Sequence, residues 1–147
     1  MPECTCFPSP PGGITRCESS QTAICGYDEL GRCEGRCVTI ASGLAPLDYT
    51  AQLLSEIVGE SLSADDLEGD ARNCAVIANL LLDSSEENKA VKFKLNGRPH
   101  RVSVGLTEIA KKKLRAAART LEGRREPPAG SAPTRSRPER PMLSSEA

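Results

Sequence analysis

The sequence predicts an α+β protein: a small Cys-rich β-hairpin module, then a body ordered helix, helix, hairpin and helix, then a disordered tail. Three observations predict this order. Six of the seven cysteines lie within the first 37 residues. Apolar residues recur at three- and four-residue steps between residues 47 and 82, as on one face of a helix. Apolar residues alternate with polar ones on both sides of Asn96-Gly97, as in a hairpin. Composition sets the expected boundaries at 1–40, 41–122 and 123–147.

The Cys-rich module contains one predicted hairpin. Residues 22–27 and 32–40 flank a polar segment that ends at Gly31, and such a segment is typical of a turn. If Tyr27 pairs near Gly31 or Arg32, then Cys25 and Cys33 come close across the two strands.

Two helices are predicted between residues 47 and 82. Asp48 is expected to cap the first helix, and Ser63 is expected to begin the second. Asp70 is an alternative start for the second helix, because Gly69 disfavours helical structure. One apolar stripe predicts that this helix is the most buried one; its residues are Leu67, Ala71, Cys74, Ala78 and Leu81. Residues 83–88 are expected to form a polar loop.

The second hairpin has the clearest local pattern. Residues 91–95 and 98–104 alternate, so that one face is apolar and the other basic. Asn96 and Gly97 both tolerate the positive φ that a two-residue turn requires. Pro99 cannot donate to a ladder, so it belongs in the turn or at an edge.

A last helix is predicted from Glu108 to about Leu121, with Thr107 as its cap and Gly123 as its end. Its alanine-rich face suits close packing on the second hairpin. Residues 123–147 mix Pro, Ser, Gly, Glu and Arg with almost nothing apolar, and we predict that they form a disordered basic tail.

The net charge of −1 hides a strong asymmetry. Residues 41–88 carry one basic and ten acidic groups, whereas residues 89–147 carry fifteen basic and five acidic groups. The basic half is compatible with an anionic partner. Alternatively, acidic helices and basic segments face one another within the fold or in a homo-oligomer.

Clustered cysteines suit a chain whose core is modest. With two Phe, two Tyr and no Trp, the core must be aliphatic, and small cores of this kind often gain from a metal or from disulfides. Zinc is the predicted metal, because structural zinc sites commonly use two close cysteine pairs. The candidate ligands are Cys4, Cys6, Cys17, Cys25, Cys33 and Cys37.

Disulfides are the competing interpretation, and six cysteines allow fifteen connectivities. The chain opens on Met1-Pro2-Glu3-Cys4 without a basic and then apolar signal segment, and we therefore expect a cytoplasmic protein. In that compartment clustered cysteines bind metal more often than they pair. No segment is apolar over the length that a bilayer requires.

Catalysis is not expected. His100 is the only histidine, and a solvated position on a strand is the simplest interpretation of it. Cys74 lies on the apolar stripe, where a cysteine is usually part of the core. Neither a phosphate-binding glycine loop nor a paired acid and base stands out in the sequence.

Nucleic-acid binding is the main functional alternative. Basic residues line the second hairpin and the last helix and could contact phosphates. No aromatic residue is interleaved with them for base stacking, and a solvated basic face explains them equally. The candidates are Lys92, Lys94, Arg101, Lys111, Lys112, Lys113, Arg115 and Arg119.

We therefore expect a non-catalytic interaction or adaptor protein with a protein partner, in which the Cys-rich module presents a rigid surface. The first alternative is a nucleic-acid-binding accessory protein. The second is a secreted protein stapled by disulfides.

Overall fold

A computed structural model describes residues 1–6 and 13–124. It has the predicted α+β class, with strands at the N-terminus followed by helices and further strands. The predicted disordered tail lies outside the described residues from residue 125 onward. The elements in chain order are β1 (Glu3–Thr5), β2 (Ile14–Arg16), β3 (Thr22–Tyr27), β4 (Cys33–Val38), α1 (Pro46–Val58), α2 (Ala64–Gly69), α3 (Ala71–Glu87), β5 (Val91–Leu95), β6 (Arg98–Gly105) and α4 (Glu108–Arg124).

The strands form two antiparallel sheets. Strands β1 and β2 pair as a small sheet, and the other four lie in the order β4-β3-β6-β5. Strand β3 pairs with β4 along its whole length and also with β6, from Ala23↔Gly105 to Gly26↔Val102. Residues 1–40 therefore contribute two strands to the same sheet as the second hairpin.

The four-stranded sheet has two differently covered faces. Successive side chains of a strand point to opposite faces. Ile24, Val102 and Val104 belong to the main apolar core with the helices. Ala23 and Cys25 instead belong to a second cluster with Cys4, Cys6 and Cys17. The helices thus cover the inner face, and the β1–β2 sheet covers part of the outer face.

The helical layer is built around α3. This helix contacts β5 and β6, whereas α4 packs on α3 and α1. We expected α4 to pack directly on the second hairpin. The apolar face of α3 occupies that position instead, and α4 packs behind it. No helix in the described ranges is long and apolar enough to cross a membrane.

Helix ends differ from expectation in three places. Helix α1 begins at Pro46 after Ala45, since proline is favoured in a first turn, so Asp48 lies inside the helix. Ser63 begins α2 with a reciprocal capping box to Asp66, as predicted. The predicted helix is interrupted at Asp70, which ends α2 and begins α3. Helix α4 runs through Gly123 to Arg124.

The largest difference concerns residues 83–88, which are helical as far as Glu87 instead of forming a loop. Two serines explain it. The Ser84 hydroxyl accepts a hydrogen bond from the Val104 amide at 3.1 Å and donates to the Lys89 carbonyl at 2.5 Å. The Ser85 hydroxyl accepts from the Leu106 amide at 3.0 Å. These polar side chains therefore bind backbone groups at the C-terminal end of β6.

The second hairpin is confirmed. Asn96 and Gly97 have φ values of 54° and 77°, as a two-residue turn requires. Pro99 pairs with Lys94 at a point where β3 does not reach β6, so its missing donor faces no strand.

Candidate functional site

The β1–β2 sheet lies very close to the outer face of the large sheet. A Cβ atom on Gly105 would overlap the backbone of Glu3, and one on Gly35 would overlap the side chain of Thr15. Glycine at these two positions lets the backbones approach. The short strands are thereby held against β3, β4 and β6.

Three cysteine pairs at disulfide distance join the two sheets. They are Cys4–Cys25, Cys6–Cys33 and Cys17–Cys37, with Cα–Cα distances of 6.0, 5.6 and 5.6 Å. The first two tie β1 and the residue after it to the β3–β4 hairpin, and the third ties the residue after β2 to β4. All six candidate ligands are thus brought together in pairs, which is the arrangement of the competing disulfide interpretation.

Two of the three disulfides form one sulfur cluster. The Sγ atoms of Cys6, Cys25 and Cys33 all lie within 4.8 Å of one another, which is close enough to hold a metal. Cys37 lies four residues along β4 from Cys33, or roughly 13 Å at the rise of a strand. The six cysteines therefore divide into a cluster of four and a separate pair, Cys17 and Cys37.

Ser103 lies beside this cluster. It stands directly opposite Cys25 in the β3–β6 ladder and is fully buried. Directly opposite residues of an antiparallel pair lie on the same face with Cβ atoms roughly 5 Å apart. Within the part of the chain that the structure describes, its hydroxyl oxygen has no hydrogen-bond partner. A buried hydroxyl without a partner is energetically costly and marks a position where an acceptor would be favourable.

The uncovered part of the outer face forms a groove. Tyr27, Lys92, Lys94, Pro99 and Arg101 line it, and its volume is about 660 Å³. We call these five residues the basic groove. Lys92 and Arg101 stand directly opposite each other in the ladder. The Arg101 guanidinium lies 4.2 Å from the centre of the Tyr27 ring.

Acidic groups stand at one rim of the basic groove, in the turn between β3 and β4. Asp28 and Glu29 both line it. The Arg32 backbone amide donates to the Asp28 carboxylate, which lowers the pKa of that group, and the Arg32 side chain contacts it at 2.9 Å. Asp28 is therefore ionised and already paired, so the cations dominate the remainder of the groove.

The basic residues of α4 lie elsewhere. Arg115 pairs with Glu86 of α3 at 3.0 Å, Lys111 pairs with Glu108 at 3.6 Å, and Lys113 donates to the Leu44 carbonyl. These residues belong to the helical layer, together with Lys112 and Arg119. The nucleic-acid candidates are thus split between two sides of the sheet, and part of the charge asymmetry is balanced within the fold.

Cys74 and His100 have structural surroundings. Cys74 is fully buried in the main core, and burial raises the pKa of its thiol to about 11. His100 packs on Phe93 with 5.5 Å between ring centres, and partial burial lowers the pKa of its imidazole. His100 is therefore less solvated than the sequence suggests.

No family model, curated protein or solved structure matches this chain. The sulfur cluster and the basic groove are the features of the chain that bear on its function. Sequence reasoning missed Tyr27 and Ser103. Tyr27 lies two residues from Cys25, and Ser103 lies two residues from Arg101, so the alternation of a strand places both on the outer face. The position of Tyr27 beside the cations and of Ser103 beside the cluster depends on the pairing of β3 with β6.

Proposed function

We propose that this chain is a non-catalytic interaction protein whose basic groove binds an acidic segment of a protein partner. One observation carries the proposal: Lys92 and Arg101 face each other across a ladder on an exposed face, with Lys94 beside them. A carboxylate of a bound segment would meet cations from two neighbouring strands and would gain charge-assisted hydrogen bonds.

The walls of the groove favour a peptide. Tyr27 and Pro99 offer apolar surface between the cations, which suits side chains that alternate with acidic residues. The disulfide-linked β1–β2 sheet supports the strand that carries Tyr27, because Cys25 of that strand is bonded to Cys4. A rigid site of this kind loses little conformational entropy on binding.

Nucleic acid is the second candidate, and the placement of Tyr27 favours it. An aromatic ring beside three cations can stack on a base while the cations contact phosphates. Against it, Asp28 and Glu29 stand at the rim, and the α4 cations do not extend the groove.

Direct binding measurements test both candidates on the full oxidised chain. A labelled peptide rich in Glu and Leu, and labelled oligo-dT, would be titrated at low salt. We expect peptide binding that Lys92→Glu/Lys94→Glu weakens at least about tenfold. The matched control, Lys112→Glu/Arg119→Glu, makes the same charge change on α4 and should leave the affinity within about twofold.

Three results would overturn the peptide proposal. If neither probe binds at low salt, the groove is not a binding site. If both double variants weaken binding equally, overall charge is responsible. If oligo-dT binds more tightly than the peptide and only the groove variant loses it, nucleic acid is the ligand.

The compartment and the metal content that we propose depend on whether the cysteines are oxidised or reduced. Paired cysteines support a disulfide-stapled protein of an oxidising compartment, since such bonds are rare in the cytosol. We propose that a cytoplasmic form would be reduced, and that in this form the chain holds one zinc ion. The mutual distances of Cys6, Cys25 and Cys33 support this. Metal analysis of protein that is reduced and reloaded with zinc tests it.

A further inference from the structure

We infer that Cys4, Cys6, Cys25 and Cys33 are the four ligands of a tetrathiolate zinc site in the reduced chain, with Ser103 donating a hydrogen bond to the Cys25 sulfur. Cys17 and Cys37 are not ligands. This inference rests on the zinc-bound form proposed above and names its site.

The distances fit a tetrahedral zinc. Zinc–sulfur bonds of about 2.3 Å place the sulfur atoms of a tetrahedron about 3.8 Å apart. Three of the four Sγ atoms already lie within 4.8 Å of one another. The fourth, that of Cys4, is bonded to the Cys25 sulfur. Opening the two disulfides leaves four thiols in one cluster, and the Cys4 sulfur completes the tetrahedron by moving towards those of Cys6 and Cys33.

Strand pairing orders the four positions as two pairs, one pair from each sheet. Cys4 belongs to β1 and Cys6 follows that strand directly, whereas Cys25 and Cys33 belong to the paired strands β3 and β4. The Cys6 amide donates to the Gly13 carbonyl at 3.3 Å, and the Cys17 amide donates to the Pro2 carbonyl at 2.9 Å. These hydrogen bonds order each sheet, and the close approach of Gly105 to Glu3 and of Gly35 to Thr15 places the two sheets against each other.

Ser103 supplies an independent observation that points to a ligand. Four thiolates and one zinc ion carry a net charge of −2, which is costly in a buried site unless donors surround it. Cys4, Cys6 and Cys25 are all buried. The Ser103 hydroxyl is buried opposite Cys25 without a partner in the described ranges, and a thiolate sulfur would give it an acceptor. Such outer donors orient metal ligands and strengthen metal binding.

The two states interconvert by a balanced exchange. Three dithiol reductant molecules, one for each cysteine pair, transfer two electrons and two protons each, which yields six cysteine thiols and three oxidised, cyclic reductant disulfides. Binding of Zn²⁺ then displaces four protons into solvent. A two-electron oxidant for each cysteine pair restores the disulfides and releases the ion.

Cobalt titration tests the ligand set on the full chain. The protein is reduced with a dithiol, separated from the reductant under anaerobic conditions and titrated with Co²⁺, whose visible bands report tetrahedral thiolate coordination. We expect one ion per chain in the wild type and in Cys17→Ser/Cys37→Ser, and loss of the bands in Cys6→Ser/Cys33→Ser. Ser103→Ala should keep the stoichiometry and weaken affinity roughly tenfold or more.

A second measurement needs no variant. When the zinc-loaded wild type is alkylated and analysed by mass spectrometry, Cys37 should be modified while Cys4, Cys6, Cys25 and Cys33 are protected. Absence of any metal from the reduced wild type would overturn both the zinc form and its site. Metal that survives in Cys6→Ser/Cys33→Ser, or protection of Cys37, would overturn the ligand assignment alone. Unchanged affinity in Ser103→Ala would remove the role of Ser103.

Discussion

The Ser84 hydroxyl accepts the hydrogen bond of the Val104 amide at a point that strand β5 does not reach. Strand β5 pairs with β6 only as far as Val102, and the amide of Val104 instead donates to Ser84 Oγ at 3.1 Å. The hydroxyl in turn donates a hydrogen bond to the Lys89 carbonyl. One fully buried side chain thereby joins the end of α3 to the central part of the sheet.

Ser84→Ala should destabilise the protein by about 1–3 kcal/mol, because it leaves a buried amide and a carbonyl without their partner. Denaturant unfolding followed by circular dichroism measures the change. Ser61→Ala, at an exposed position, is the control and should change stability by no more than about 0.5 kcal/mol. Equal effects of the two substitutions would show that the Ser84 hydrogen bonds contribute nothing.

Gly105→Ala should displace the β1–β2 sheet, because the new methyl group would overlap the Glu3 backbone. We expect a loss of about 1–3 kcal/mol, as for overpacking elsewhere in a core. We also expect slower formation of the Cys4–Cys25 bond during oxidative refolding, which peptide mapping monitors. Gly43→Ala introduces the same group with nothing within 4 Å and should leave both quantities unchanged. A Gly105→Ala protein that refolds and unfolds like the wild type would contradict the close approach.

Stability should fall above pH 9 through Cys74. Burial, with a smaller contribution from Asp70, raises the pKa of this thiol from 9.0 to about 11. The unfolded chain therefore loses its proton first, so the stabilisation is fully present below pH 9 and is lost as pH rises towards 11. The loss is of the order of 2–3 kcal/mol.

Cys74→Ala checks this contribution. Its unfolding free energy should show less decline between pH 9 and 11 than that of the wild type, measured by urea denaturation across the range. The thiol should also resist alkylation at pH 8 in the folded protein and react once the chain unfolds. Identical pH profiles for the two proteins would remove Cys74 as the cause.

Local patterns predicted the local structure. Alternation and Asn96-Gly97 define the second hairpin, and Ser63 with Asp66 defines the start of α2, because each depends on neighbours in sequence. Residues 83–88 were predicted wrongly as a loop, since Ser84 and Ser85 are satisfied by a strand twenty residues away. The cysteine pairs were beyond prediction for the same reason. Which of the fifteen connectivities forms depends on how β1 lies across β3 and β4.

The candidate site was predicted in part. The basic face of the hairpin and the six cysteines follow from residue types and spacing. Their division into a cluster of four and a separate pair does not, because it requires the register Tyr27↔Cys33. The basic groove likewise requires β3 beside β6, which brings Tyr27 to Arg101 over more than seventy residues of chain.

The place of β3 between β4 and β6 also limits how the chain can be divided. A fragment that begins at residue 41 would lack β3, which pairs with β6 from Ala23↔Gly105 to Gly26↔Val102. The backbone groups on that side of β6 would then have no partner strand. Open strand edges recruit other chains and lead to aggregation. Partner mapping therefore requires point substitutions in the intact chain. A protein truncated at its N-terminus would bind other chains nonspecifically through the exposed edge of β6.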